Sequence, residues 1–502
     1  MLPVAPSSTH AMPGQTTLRK MFGLDWRSLA LMRIGLALVI LADLWVSAKD
    51  LRAFYSDDGI LPRSLLRAYT PPDFCLHLLG GSVEFAAALF ALEAVFAVML
   101  LVGYRTRLAT IGCWVLLLSR QARNPLVLFG ADMIELLALF WAMFLPLNRR
   151  FSIDATLGRV PPPAEPAYFG IPGICTIIQF LLIYVMSALM KTGVSWQIDH
   201  SAVAYALSLD MYARPLGQWL NQYDALTALL TIYTLYLELY GPFLLISPVA
   251  SGWLRLLGCV LFGTLQLGFG ICMQMGLFWV ATNVFLLMFL PAEFWSHLAE
   301  PAGRWLAQKI NINSVRSPHP SAASPTRLCP APRWLCRLRD GALLLVLAGV
   351  VEMNVGNFPQ YAKLQPPLEH RVLKDLGLEQ GFAMFAPDPQ TDDGWFVLRG
   401  WKKNGDSVDL LTGDAPASLD RPADIPATYL DQRWGSLFFD FMYPDYAKYL
   451  ENTALYFDNQ WEQTHSGGDR LQRLEIIFLH QVNGPHHTKT DPELDYLWTE
   501  FF

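Results

Sequence analysis

The chain has 502 residues, of which 53% are hydrophobic and only 16% are charged. Soluble domains carry about 25% charged residues, so this deficit, together with 16 Trp and 30 Phe, indicates a polytopic membrane protein. The formal net charge of -6 argues against a nucleic-acid partner. Seven cysteines are scattered without a CxxC pair and give no support to a zinc or dithiol site.

The first 24 residues are polar and lack the apolar region of a signal peptide. We therefore interpret residues 1–24 as a cytoplasmic tail. The first hydrophobic segment is expected to remain in the protein as a helix.

Nine apolar segments follow, and most approach the roughly 20 residues that cross a bilayer as a helix. They predict helices at residues 28–48, 82–104, 106–121, 125–147, 171–191, 224–247, 252–271, 274–295 and 339–355. The predicted fold is a polytopic α-helical membrane bundle of about eight or nine transmembrane helices, followed by a C-terminal β-rich α+β soluble domain.

Composition divides the chain into a transmembrane bundle at 25–296, a basic linker at 297–338, a last helix at 339–358 and a soluble domain at 359–502. The linker contains the Pro/Ser-rich stretch from Ser314 to Arg333, which is too polar to pack a core. In the soluble domain, apolar and polar residues alternate around Asn404-Gly405, a strong hairpin signal. LQRLEIIFLHQVN predicts a further strand.

The distribution of lysine and arginine predicts the orientation. With the N-terminus in the cytoplasm, inner segments hold about twice as many of these residues as outer segments. Nine helices then place the C-terminal domain outside the cytoplasm.

One lysine, Lys191, ends the fifth apolar segment in SALMKTGVSW. In one interpretation it suits the helix C-terminus and extends to the headgroups, with Gly193 as a C-cap. In the other, a dry pocket removes water from the amine and leaves it neutral, ready to act as a base. His200 follows closely and is either a second base or an ordinary interfacial residue.

Other ionisable residues are expected in the outer half of the bundle or at its rim. Asp132 and Glu135 share one helix face at i, i+3. The residues predicted to form this outer vestibule are Asp43, Glu84, Arg120, Arg123, Asp132 and Glu135. Inter-helix salt bridges are an equally good explanation, and the deeper Glu93 and Glu238 are interpreted as structural groups.

Asp57 and Asp58 supply turn chemistry at the membrane edge, where they line a substrate entrance or only cap helices. No clustered His ligands are present, so no metal site is predicted.

Four stretches carry a family resemblance: LRAFYSDDGILPR (51–63), SALMKTGVSW (187–196), MQMGLFWVATNVFLLMFLPAEFW (273–295) and QGFAMFAPDPQTDDGWFVLRGWKKNGDSVDLL (380–411). In this order the chain resembles the HTTM family, the bacterial relatives of vitamin K-dependent γ-glutamyl carboxylase. The first loop and general layout also resemble lipase maturation factors.

The resemblance implies a catalytic lysine that deprotonates a lipid-soluble quinol. In the carboxylase this lysine ends a similar helix five residues before a tryptophan, as Lys191 precedes Trp196. The motif's other lysine is replaced by Met190, and two family histidines align with Pro125 and Gln266. The implied location is a bacterial cytoplasmic (inner) membrane, with a quinone or hydroquinone as the possible cofactor.

Two functions stay open at this point. The first is a membrane enzyme, carboxylase-like if catalytic, that uses Lys191 as a base on a quinol-type or other lipid-soluble substrate. The alternative is a non-catalytic, membrane-anchored binding or maturation factor for a secreted or membrane partner, contacted through the C-terminal domain. A transporter is less well supported because no inverted repeat is present.

Overall fold

The computed structural model describes residues 13–309, 332–358, 361 and 367–502. The Pro/Ser-rich segment predicted as a linker, Ser314 to Arg333, lies outside the described residues except for its last two positions.

The N-terminal part is helical. Its helices are α1 (Pro13–Phe22), α2 (Trp26–Ser47), α3 (Leu51–Tyr55), α4 (Arg63–Tyr69), α5 (Val83–Val102), α6 (Thr106–Arg123), α7 (Gly130–Ala142), α8 (Ile153–Thr156), α9 (Ile171–Met190), α10 (Val194–Gln197), α11 (Ala202–Ser208), α12 (Pro215–Leu220), α13 (Asp224–Leu245), α14 (Ser251–Cys272), α15 (Phe278–Leu286), α16 (Glu300–Lys309) and α17 (Arg333–Gly356). Two short strands, β1 (Leu24–Asp25) and β2 (Ala167–Tyr168), pair antiparallel.

Among the described residues, five helical segments are long and apolar enough to cross a membrane: Trp26–Tyr55, Val83–Val102, Ile171–Met190, Asp224–Leu245 and Ser251–Cys272. A sixth is added if Phe278–Phe289 and Phe294–Arg304, which meet at 101°, are counted as one span. The predicted helical bundle is therefore confirmed as a set of apolar helices compatible with a membrane protein. Helices α6 and α17 also form where helices were predicted, but they are not among these apolar segments.

The predicted helix at 125–147 is shorter in the structure. Pro125 begins a 3-10 turn, and the Asn124 side chain caps it by accepting from Leu126 N at 3.1 Å. Helix α7 starts only at Gly130, where the Asp132 carboxylate accepts a hydrogen bond from Phe129 N at 3.0 Å. Local side-chain bonds thus move the helix start beyond the proline.

The predicted helix at 274–295 is also interrupted. Helix α15 continues as a 3-10 turn to Phe289 and then bends before Phe294. Pro291 lies in this break, where its missing N–H prevents a continuous ladder of backbone hydrogen bonds.

The C-terminal part is an α+β region, as predicted. Its helices are α18 (Pro367–Asp375), α19 (Ile425–Thr428), α20 (Gln432–Asp440) and α21 (Leu450–Glu462), and its strands are β3 (Asp392–Lys402), β4 (Ser407–Asp409), β5 (Leu471–Val482) and β6 (Glu493–Phe501). The four strands form one antiparallel sheet in the order β4-β3-β5-β6. The predicted hairpin is confirmed, because β3 and β4 meet at Asn404-Gly405, where Gly405 takes a φ of 95°.

The C-terminal region is docked firmly on the bundle. The Trp434 ring lies 4.7 Å from that of Phe54, and buried apolar residues of both parts belong to one continuous core. A second contact is electrostatic: Lys489 and Arg421 reach Asp210 of the bundle at 2.8 and 2.7 Å. The C-terminal region and the bundle are therefore joined by both apolar and charged contacts.

Candidate functional site

Lys191 is buried at the C-terminal end of α9, with 3% of its surface exposed. Its Nζ donates a hydrogen bond to Ser187 Oγ at 2.7 Å and forms an ion pair with Glu238 of α13. The same nitrogen lies 4.9 Å from the centre of the Trp196 ring. Of the two interpretations of Lys191, the structure excludes the one in which the side chain extends to headgroups, but the amine has a carboxylate partner and is not isolated.

The segment after Lys191 is held by the C-terminal region. Trp196 Nε1 donates to Phe385 O at 2.7 Å. The Asp388 carboxylate accepts from Ser195 N at 2.9 Å and from Ser195 Oγ. These bonds join SALMKTGVSW to the loop MFAPDP, Met384 to Pro389, which were both part of the family resemblance.

Gly193 has a different role from the predicted C-cap. Its φ of -73° is not left-handed, so the expectation of a C-cap glycine was wrong. A Cβ at this position would lie 2.0 Å from the Asp388 carboxyl group. Gly193 is therefore required for close approach of the MFAPDP loop.

Three neighbouring cavities surround this contact, and Met384 lines all of them. The Lys191 cavity, of about 130 Å³, is lined by Lys191, Trp196, Glu238 and mainly apolar residues of α11, α13 and α14. The central cavity, of about 370 Å³, is lined by Glu238, Ser187, Gln266 and several aromatic rings. The interface cavity, of about 540 Å³, lies between the bundle and the C-terminal region.

Gln266 is one of the predicted residues that the structure brings to this site. Its Nε2 donates to the Tyr184 hydroxyl at 3.2 Å, whereas its buried Oε1 has no hydrogen-bond partner among the described residues. A buried amide oxygen without a partner is costly. It is therefore available to a hydroxyl donor in the central cavity.

A second buried cluster, here called the arginine cluster, contains four predicted vestibule residues. Arg120 forms ion pairs with Asp43 and with Glu93, the latter at 3.3 Å. Arg433 of α20 reaches the same carboxylate of Asp43 and also Asp132 at 3.3 Å. Both oxygens of Glu135 are buried without a hydrogen-bond partner among the described residues. The salt-bridge explanation therefore describes this cluster apart from Glu135, which forms no ion pair among the described residues, and the cluster is distinct from the cavities at Lys191.

The remaining predicted residues lie elsewhere. Glu84 is exposed in the first turn of α5. Arg123 donates to the carbonyls of Leu61 and Ser56 at 2.7 and 2.8 Å, so it holds the loop between α3 and α4. In that loop Asp57 pairs with Arg63 at 2.7 Å.

Asp58 is exposed and, with Asp57, lines a separate surface pocket. His200 is half-buried, contacts Trp196 O at 3.1 Å and does not line the Lys191 cavity. The residues predicted to lie together at the outer side of the bundle are therefore in separate parts of the fold.

Two important residues were missed as functional candidates. Glu238 was interpreted as structural, although an ionisable residue within an apolar helix is itself a sign of a functional site. Arg433 lies in an ordinary polar segment, DQRWG, and nothing in its local sequence indicates that it enters the bundle.

The fold and the site define a predominantly helical protein with apolar helices compatible with a membrane and a C-terminal β-sheet region. No protein-family model matches the chain, and comparisons with curated proteins and with solved structures also give no match.

Proposed function

We propose that this chain is a membrane enzyme of the carboxylase-like HTTM type, in which Lys191 and Glu238 transfer a proton from a lipid-soluble, quinol-type acid. The observation that carries the proposal is the buried Lys191–Glu238 ion pair at the wall of an apolar cavity. Buried charge is costly unless it is paired. The Lys191–Glu238 pair meets this requirement and also borders a cavity, so a ligand in the cavity can reach it.

The central cavity has groups that fit a quinol. Its volume of about 370 Å³ falls within the range of small-molecule sites. Phe269, Phe278 and Phe382 supply flat apolar surface for a ring. Gln266 Oε1 can accept a hydrogen bond from one hydroxyl, and Glu238 can accept one from the other.

The two members of the ion pair have different roles in proton transfer. Glu238 accepts the hydroxyl proton and becomes neutral, while Lys191, which pairs with Glu238 but does not itself line the central cavity, keeps its positive charge and stabilises the new oxyanion electrostatically. Such stabilisation is strong where water is excluded. A bound quinol would supply the acidic hydroxyl and, once ionised, a nucleophilic ring. Glu238 and Lys191 thus act together as the base, in which Glu238 accepts the proton and Lys191 supplies the positive charge.

The finer membrane assignment belongs to this proposal. We infer about eight or nine spans, with α6, α7, α15 and α17 packed among the more apolar helices. Helix α10, which directly follows α9, contacts the C-terminal region through Trp196, so the site and this region share one side. We infer that this side is extracytoplasmic, which the lysine and arginine distribution supports, and that the membrane is a bacterial cytoplasmic membrane, which the family resemblance implies.

The alternative, a non-catalytic binding or maturation factor, has less support. A freely presented binding domain needs its own core, whereas this region shares a core with the bundle. The proposal of a partner protein therefore stays without a specific observation in its favour.

Absorbance titration with reduced menadione, under anaerobic conditions, tests the proposal. We expect the full chain in detergent to shift the bound hydroquinone toward its anion at neutral pH. Lys191→Met and Glu238→Gln should each reduce the anion signal at least tenfold. Arg421→Met, which removes an ion pair that lines neither the Lys191 cavity nor the central cavity, should leave the signal unchanged.

Lipid extraction of the purified protein provides a second readout. A quinone that co-purifies with the unaltered chain and is lost from Gln266→Leu would support the site. If menadiol binds without ionising, or ionises equally with all variants, the proton-transfer role is wrong.

A further inference from the structure

The interface cavity has an aromatic wall, of which the proton-transfer proposal uses only Phe278. Six aromatic side chains line it: Phe129, Tyr212, Phe278, Phe385, Phe439 and Tyr443. The bundle contributes the first three, and the C-terminal region contributes the others. The cavity, of about 540 Å³, is large enough for a small organic group and exists only while the two parts are docked.

Three of the rings, Tyr212, Phe439 and Tyr443, contact one another. The Tyr212 and Phe439 centroids are 5.6 Å apart, and those of Phe439 and Tyr443 are 5.7 Å apart with planes inclined by 66°. Because neighbouring rings are inclined to one another, their faces point in different directions around the interface cavity. Aromatic faces attract cations through their negative electrostatic potential.

The charge of the cavity has one sign. Two carboxylates, Asp388 and Asp440, line it, and no Lys, Arg or His among the described residues does so. Asp388 already accepts two hydrogen bonds from Ser195. The Asp440 carboxylate has no ion-pair partner in the described part of the chain. It is the free acidic group of this wall.

Burial also changes the protonation of that acid. Loss of water raises the pKa of Asp440 to about 7, because a charged carboxylate without a counterion is poorly solvated. A cation beside it would replace the missing counterion and favour the ionised form.

We propose that the interface cavity is a binding site for an alkylammonium group, either a quaternary ammonium or a protonated amine. The aromatic faces surround the cation and Asp440 neutralises it. Free amines and the headgroups of choline lipids share this chemistry. The inference does not depend on the role of Lys191, which does not line the interface cavity.

Calorimetric titration of the full chain with choline tests the site. Its neutral isostere, 3,3-dimethylbutan-1-ol, is the matched ligand. We expect choline to bind at least tenfold more tightly at pH 8. Asp440→Asn should abolish this preference, whereas Asp445→Asn, which removes an exposed carboxylate nearby, should preserve it.

The pH dependence provides a readout that a structural role would not move. Ionised Asp440 rises from about a tenth to about nine tenths between pH 6 and pH 8, given its pKa of about 7. Choline affinity should therefore increase about tenfold over this range, and the increase should be absent in Asp440→Asn.

Two further arms distinguish the sources. Choline lipid that co-purifies and is released by Asp440→Asn identifies a headgroup, whereas binding of free choline or ethylammonium without co-purified lipid identifies a soluble amine. Equal binding of the neutral isostere, no binding of any cation, or unchanged affinity in Asp440→Asn would overturn the proposal. Lys191→Met should keep choline binding, so this test and the menadiol test fail independently.

Discussion

The two buried charge sites of this protein differ in what surrounds them. The Lys191–Glu238 pair borders a cavity on its apolar side. The arginine cluster brings Arg120 and Arg433 among four carboxyl groups, and none of these six side chains lines a described cavity. Burial alone therefore does not identify a reactive site; access to empty space separates a candidate catalytic pair from one that joins two parts of the fold.

The largest effect is expected in the arginine cluster. Arg433→Met removes the cation that pairs with Asp43 and Asp132 and leaves both carboxylates buried. Breaking a buried ion pair costs about 3–5 kcal/mol, so the free energy of unfolding should fall by that order. Thermal unfolding in detergent measures it.

The control for this variant is Arg421→Met, which breaks another ion pair between the C-terminal region and the bundle. About half of the Arg421 side chain is exposed, so its loss should cost no more than about 1 kcal/mol. Equal destabilisation by the two variants would contradict the structural role assigned to the cluster.

A smaller effect is expected at the cavity. Lys191→Met leaves Glu238 without its cation and should destabilise the protein by about 1–3 kcal/mol, less than Arg433→Met because Lys191 pairs with one carboxylate and Arg433 with two. The double variant Lys191→Met/Glu238→Leu removes both charges and should recover most of this loss. A double-mutant cycle measures the coupling, and a double variant less stable than the single one would contradict a simple ion pair.

A substitution at the closely packed Gly193 should reduce stability by a similar or smaller amount. Gly193→Ala places a methyl group against the Asp388 carboxyl group and should cost about 1–3 kcal/mol through displacement of the MFAPDP loop. Gly341→Ala in α17, where a methyl group meets nothing within 4 Å, should be neutral or stabilising. Protease sensitivity of the loop should rise only in Gly193→Ala.

Features set by local chemistry were predictable from the sequence. Asn404-Gly405 predicts its hairpin because few other residues adopt the turn, and the apolar length of 171–190 predicts α9. The start of α7 was missed because Asn124 and Asp132 act through short-range side-chain bonds that apolar periodicity does not reveal.

The site itself was only partly predictable. Lys191 was found from its position at the end of an apolar helix. Its partner Glu238 lies 47 positions later, and the MFAPDP loop that covers the site lies almost 200 later, so neither contact follows from local pattern. Arg433 was missed for the same reason, because its partners in the bundle, Asp43 and Asp132, are distant from it in the sequence.

Arg433 also has a consequence for biogenesis. It is synthesised 301 positions after Asp132, so the apolar helices emerge from the ribosome long before the second cation of the arginine cluster. Until that residue arrives, the newly made bundle retains unmatched negative charge in its interior. Premature termination anywhere before position 433 should therefore yield a product that the cell's quality-control proteases remove, even when every apolar helix has been made.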